Sequence, residues 1–61
     1  MPSPADESVQ RAHRAANSGL YRLADVEYRM AARLYDEEGN TEAAQECRQQ
    51  AAACMERVEG G

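Results

Sequence analysis

The stretch LYDEEGNTEAAQECRQQAAA, residues 34–53, decides the fold because it places a Gly39-Asn40 corner between two alanine-rich segments. Glycine at such a corner ends a helix in the left-handed conformation, and Asn40 or Thr41 can cap the helix that follows. Beyond the corner, apolar residues recur at alternating spacings of three and four, which is typical of one helix face. The pattern predicts a helical hairpin whose second arm, over residues 41–58, has a seam of small side chains: Ala44, Cys47, Ala51, Cys54 and Val58.

The first arm of the hairpin, residues 20–38, carries more apolar surface than one neighbouring helix can cover. Its tyrosines stand seven residues apart and alternate with alanines, a spacing typical of a coiled-coil seam. Arginines and Asp36 lie on the opposite side and are expected to be solvated. We therefore predict that this helix is central. Its broad apolar face comprises Leu20, Leu23, Ala24, Met30, Ala31 and Leu34, with Tyr21, Tyr28 and Tyr35 along the seam.

Ahead of the hairpin, the residues SPADE at positions 3–7 are a strong start signal for a helix. Ser3 is placed to cap, Pro4 suits the first helical position, and Asp6 is placed to complete a capping box. Gly19 then ends this helix after residue 17. No segment shows the β-branched and aromatic alternation of a strand. The sequence predicts one small all-α domain, residues 1–61, with helices over residues 4–17, 20–38 and 41–58.

The composition limits how large a core this chain can bury. At 61 residues there is room for one domain. A chain of this length buries about 60% of its unfolded surface and is marginally stable without further stabilisation. It contains no Phe, Trp or Ile, and much of its apolar content is alanine. We therefore expect a homo-oligomer, with a dimer as the simplest case.

The charge is acidic and uneven. The net charge is −4, and all seven cationic residues are arginine. Residues 1–33 contain five arginines and four acids, a net +1, whereas residues 34–61 contain two arginines and seven acids, a net −5. Nucleic-acid binding depends on neutralising phosphates with Lys and Arg, so we expect no nucleic-acid partner. Arginine without lysine, together with abundant alanine, is typical of high-GC bacterial or phage proteins.

The N-terminal residues have neither the basic start nor the apolar core of a secretory signal, and no apolar run approaches the roughly 20 residues that span a membrane. We expect a soluble, cytoplasmic protein without a membrane partner. Cys47 and Cys54 are then expected to be reduced. Their seven-residue spacing on a helix separates the Cα atoms by about 10 Å, too far for an intrachain disulfide. A bridge between two chains stays open.

Residues 28–51 resemble one tetratricopeptide repeat (TPR), a helix-turn-helix unit of about 34 residues. The match covers about 24 of the 61 residues and does not recur upstream. Ala31 and Arg48 stand where the family has a leucine and an aromatic residue, and no proline closes the unit. The matching positions are the two aromatics and the small residue of the first helix, the turn, and two small residues of the second helix: Tyr28, Tyr35, Ala32, Gly39-Asn40, Ala44 and Ala51.

With its additional N-terminal helix, the chain also looks like the three-helix MIT-type domain, which binds short helical peptides in grooves between its helices. Both resemblances imply protein–protein binding, with no cofactor. Physical reasoning agrees, since a lone helical hairpin of this kind leaves an apolar face open that must meet another helix.

We therefore expect a small non-catalytic interaction module that self-associates or binds a partner helix through the apolar face of the second helix. No Ser/His/Asp or Cys/His arrangement, phosphate loop or metal-ligand motif supports an enzyme. The residues expected to make the contact are Tyr21, Leu23, Tyr28, Met30, Leu34 and Tyr35.

Two alternatives stay open. His13 is the only histidine, and Glu27 interrupts an apolar stripe, so several chains together could form a metal-binding or catalytic bundle from these two residues. The simpler interpretation is that Glu27 pairs with an arginine while His13 packs by its ring. The other alternative is an acidic regulatory or phage-encoded inhibitor that docks on a basic protein surface.

Overall fold

The computed structural model describes residues 1–60 and contains three α-helices: α1 (Pro4–Asn17), α2 (Tyr21–Glu37) and α3 (Thr41–Gly60). No strand occurs within these residues, so the predicted all-α, three-helix class is confirmed. α2 begins one residue later and ends one residue earlier than the sequence pattern indicates, and α3 extends two residues further. None of the helices described is both long enough and apolar enough to cross a bilayer.

The start of α1 is the capping box that the sequence predicts. The Ser3 hydroxyl accepts a hydrogen bond from the Asp6 backbone N–H at 3.2 Å, and the Asp6 carboxylate accepts one from the Ser3 N–H at 3.3 Å. Pro4 occupies the first turn, where its missing N–H costs nothing. Two of the otherwise unpaired donors at the helix start are thereby satisfied.

The two corners between the helices have the same backbone geometry. Gly19 and Gly39 adopt positive φ angles of 78° and 81°. At the second corner the Asn40 N–H donates to the Tyr35 carbonyl at 2.8 Å, a Schellman motif that satisfies carbonyls at the end of α2. The Asn40 side chain also accepts from the Ala43 N–H at 3.2 Å, so Asn40 caps α3. One residue therefore closes one helix and opens the next.

Replacing Gly39 with alanine is expected to lower the free energy of unfolding by about 1 to 2 kcal/mol. A Cβ added there would meet nothing within 4 Å, so the cost comes from the left-handed backbone alone. Urea denaturation followed by circular dichroism measures it. Gly60→Ala is the control, because Gly60 is the last residue of α3 and does not adopt a positive φ angle. Equal losses in both variants would contradict the assignment of the cost to the corner.

α2 is the central helix, as its two-sided apolar pattern predicts. It packs along both α1 and α3, whereas α1 and α3 make few contacts with each other. The outer helices therefore flank a groove whose floor is α2. The Tyr28 and Tyr35 side chains line this groove together with His13 of α1 and Cys47 of α3.

The core is built from small side chains. Among the buried apolar residues in positions 1–60, the only large one is Tyr28. Alanines let the helix backbones approach closely, because interhelical distance depends on the side chains at the contact. Each buries little apolar area, however, and hydrophobic stabilisation scales with that area. The buried apolar residues are Ala5, Ala12, Ala15, Ala24, Tyr28, Ala31, Ala32, Ala44, Cys47, Ala51 and Cys54.

The broad apolar face of α2 is only partly covered by the neighbouring helices. Ala24 and Ala31 are buried, but Leu20, Leu23 and Met30 are exposed. Successive helical residues are rotated by about 100°, so Leu23 and Ala24 point in clearly different directions. α1 packs on the alanine side. The leucine and methionine side is therefore left largely exposed, with α1 and the end of α3 at its edges.

Candidate interaction surface

The six residues expected to make the contact lie on two different sides of α2. Tyr28 is buried, and the other two tyrosines are half-buried against the core. Leu23 and Met30 are exposed on the outward side, and Leu34 is half-buried. A single flat partner surface cannot cover both sets, so the structure separates a tyrosine side from a leucine side.

Tyr28 belongs to the core of the chain itself. It is 4% exposed, and its ring meets the His13 ring edge-on, with centroids 5.8 Å apart and planes at 62°. Such edge-to-face pairs add to the stabilisation from buried area. Burial raises the pKa of the Tyr28 hydroxyl, with a smaller contribution from Cys54 and Cys47. This tyrosine fills the space that the two outer helices leave above α2.

Tyr35 ties α2 to the start of α1. Its hydroxyl donates to the Asp6 carboxylate, which at the same time accepts the capping hydrogen bond from Ser3. The bond to Asp6 raises the pKa of Tyr35 to about 12, and the same bond lowers the pKa of Asp6. The carboxylate thus has two structural partners, one in its own helix and one in α2.

Tyr35→Phe is expected to make the urea midpoint less dependent on pH at both extremes. Because the folded-state pKa of Asp6 is lowered, its stabilisation is present above the ordinary carboxyl value and is lost as pH falls. Because the pKa of Tyr35 is raised, its stabilisation is present below 10 and is lost as pH rises toward about 12. The phenylalanine variant should be less stable than the wild type near neutral pH. The difference between their urea midpoints should become smaller at low pH and at high pH.

Tyr21→Phe is the matched control for that experiment, because it removes a tyrosine hydroxyl from α2 and leaves the bond between Tyr35 and Asp6 in place. The Tyr21 ring lies 5.6 Å from the Arg57 guanidinium. This variant should keep the loss of stability at low pH that the wild type shows. A Tyr35→Phe variant with the same pH profile as wild type would refute the coupling between Tyr35 and Asp6.

Cys47 and Cys54 are free thiols buried at 5% and 6% exposure. Burial is the main reason that the pKa of each thiol is raised. The thiolate is the nucleophile and the metal ligand, so a raised pKa keeps both cysteines in the less reactive form. Their place in the core is that of small apolar side chains. A disulfide between two chains would require the helices to open.

His13 and Glu27 are not brought together within one chain. Glu27 accepts a hydrogen bond from Arg11 Nε at 2.5 Å, while the His13 ring contacts Tyr28. Glu27 thus pairs with an arginine and His13 packs by its ring, as the simpler interpretation of the sequence predicts. Within residues 1–60, no three His, Cys, Asp or Glu side chains are placed to hold a metal ion.

Apart from Met1 at the chain start, the exposed large apolar side chains of residues 1–60 form one row of four, which we call the outward stripe. Leu20, Leu23, Val26 and Met30 are 54%, 51%, 54% and 47% exposed, and they follow one side of α2 and its first turn. Leu23 and Met30 are among the contact residues that the sequence predicts. The sequence does not predict Leu20 and Val26 as contact residues, although Leu20 precedes Leu23 by three residues and Val26 follows it by three.

Hollows lie along the outward stripe, and arginines border each of them. Between α1 and α2, Leu20 and Leu23 share a hollow with Arg11 and Arg14. At the start of α2, the same leucines border a second hollow with Arg22. Further along, Val26 and Met30 border a third, and the arginines there are Arg29 and Arg33. The stripe is therefore an apolar strip with a basic rim.

Sequence reasoning also missed Asp25, the one acid on the inner side of α2. It is 9% exposed and accepts a hydrogen bond from Arg29 Nε at 2.9 Å. Its spacing of four residues from Arg29 is the signal that could have identified this pair, because such side chains are neighbours on a helix surface.

In comparisons with known proteins, no family model, curated protein or solved structure matches the chain. The resemblance of residues 28–51 to a TPR hairpin, and of the whole to an MIT-type domain, therefore stays a prediction from the residues.

Proposed function

We propose that the protein is a small non-catalytic interaction module that packs the outward stripe of α2 against a helix of another polypeptide. The observation that carries this proposal is where the apolar side chains lie: the small ones are buried and the larger aliphatic ones are exposed. Alanines fill the core, whereas Leu20, Leu23, Val26 and Met30 are about half exposed in one continuous row. Contiguous apolar surface of this kind marks interaction sites in folded proteins.

A helix is the ligand shape that suits the outward stripe. The row runs along a helix, and the hollows beside it lie between its side chains and the neighbouring arginines. An amphipathic helix presents a ridge of residues at positions i, i+3, i+4 and i+7, which fits an elongated apolar groove. The two possible sources of that helix are a second copy of this chain and a different protein.

The test of this proposal uses a neutral amphipathic peptide, with a leucine ridge and glutamine flanks, labelled for fluorescence anisotropy. The wild-type chain should bind it, and the double variant Leu23→Gln, Met30→Gln should bind at least about tenfold more weakly. Fully burying one such side chain contributes about 1.5 to 3 kcal/mol, which is tenfold or more in affinity. Glutamine is a good helix former, so α2 should persist.

Ala53→Gln is the control, because Ala53 is exposed on α3 and lines none of the hollows along the outward stripe. This variant should bind like the wild type. Sedimentation equilibrium of the chain alone shows whether a second copy occupies the stripe, through a dimer that the Leu23→Gln, Met30→Gln variant loses. The proposal is wrong if the stripe variant neither weakens peptide binding nor changes the copy number.

A further inference from the structure

We infer that the helix that occupies the outward stripe is an acidic one: an amphipathic helix of another protein, with Asp or Glu residues on both sides of its apolar ridge. This inference rests on the proposed function and adds the chemical class of the partner. It is carried by the charges that border the stripe.

Five of the seven arginines of the chain line the three hollows along the outward stripe. Glu27 is the one acid in the same linings. The protein as a whole carries a net charge of −4, so this side is locally basic on an acidic molecule. The five arginines are all exposed: Arg11, Arg14, Arg22, Arg29 and Arg33.

Pairing within the chain leaves part of this positive charge uncompensated. Arg11 pairs with Glu27 at 2.5 Å and Arg29 pairs with Asp25 at 2.9 Å. Arg14, Arg22 and Arg33 form no salt bridge to any residue in 1–60. A guanidinium presents a planar fork of donors that suits a carboxylate, so three such groups beside an apolar row favour carboxylates flanking an apolar ridge.

A second copy of the chain is a poor occupant for the same reason. Packing two outward stripes face to face would bring two arginine rims together, and like charges across an interface oppose association. The oligomer expected from the composition would then have to form through another surface. The partner that the charges favour is acidic and distinct from this chain.

A membrane surface is also less suitable than a helix. Leu20 and Leu23 border hollows between α1 and α2 and at the start of α2. The side chains of a partner helix can pack into such hollows, whereas a flat lipid surface would leave them unfilled. The net charge of −4 opposes approach to an anionic bilayer once the rest of the chain comes near it. Anionic vesicles are therefore an alternative that the experiment must exclude.

The experiment compares three labelled helical peptides that share one leucine ridge and differ only in their flanks, which are glutamate, glutamine or lysine. By fluorescence anisotropy, the glutamate peptide should bind about tenfold more tightly than the glutamine peptide, since three exposed ion pairs each contribute up to a few fold. The lysine peptide should bind most weakly. Raising the salt concentration should reduce the differences, because exposed charges are screened.

Arg14→Gln with Arg33→Gln removes two unpaired arginines and should abolish most of the preference for glutamate over glutamine flanks. Gln49→Glu with Gln50→Glu is the control, since it changes the net charge by the same amount on α3. That control should keep the preference.

The outcomes separate the inference from the proposed function. Equal binding of all three peptides that still depends on Leu23 and Met30 overturns the inference and leaves the proposed function standing. Binding of none of them overturns both. Stripe-dependent binding to phosphatidylserine vesicles without binding of the glutamate peptide, or a stripe-dependent homodimer that excludes this peptide, also overturns the inference.

Discussion

Tyr28→Ala is expected to unfold the chain at room temperature. In the part of the chain that the structure describes, Tyr28 is the one large side chain in a core of alanines and cysteines, and it fills the space between α1 and α3. Removing a buried aromatic side chain costs about 3 to 5 kcal/mol, because a cavity remains where the ring was. A chain of this length has only about 3 to 9 kcal/mol of stability in total.

Circular dichroism with thermal and urea denaturation measures this effect. The alanine variant should show little helical signal or a strongly lowered urea midpoint. Tyr28→Phe is the control, because it keeps the ring that contacts His13. Its free energy of unfolding should stay within about 1 kcal/mol of wild type, as for other swaps that conserve volume. An alanine variant with a wild-type midpoint would show that the core lies elsewhere.

Ala44→Glu is expected to have a comparable effect on the packing of α3. Ala44 is completely buried near the start of α3, where the helix packs on α2. A glutamate there would place an unpaired charge in a closely packed interface, which costs several kcal/mol. The interface also has no room for the longer side chain. We expect α3 to separate from α2 and the cooperative unfolding transition to be lost.

Two further variants separate charge from size and position. Ala44→Leu adds volume without charge and should cost about 1 to 3 kcal/mol. Ala53→Glu places the same glutamate on the exposed side of the same helix and should change stability by less than about 0.5 kcal/mol. Urea unfolding curves, followed by the circular-dichroism signal of the helices, give the free energy of unfolding of each variant. The packing of α3 would be misassigned if Ala53→Glu were as destabilising as Ala44→Glu.

The alanine core and the outward stripe are two consequences of one arrangement. Because α1 and α3 approach α2 on its alanine and tyrosine sides, the larger aliphatic side chains of α2 stay outside. The small core limits stability, and the exposed row supplies a surface for another helix. Binding at that surface would also stabilise the folded chain, since a ligand that binds only the folded state shifts the equilibrium toward it.

Part of the candidate surface could be predicted from the sequence. Leu23 and Met30 were identifiable because they repeat at helical spacing among polar residues. The sequence pattern groups the tyrosines with these two residues, because a pattern along one helix does not show which side of it a neighbouring helix covers. The arginine rim was not predictable either, because Arg11 and Arg14 reach the outward stripe only through the packing of α1 on α2.

The sequence by itself determined the three helices and the corners between them. Ser3, Pro4 and Asp6 specify the start of α1, while Gly19, Gly39 and Asn40 specify the corners, and these signals act between residues close in the chain. Only the tertiary structure decided which side of α2 became the core. That choice depends on how closely helices can approach, and rows of alanine allow backbones nearer than leucine and methionine would.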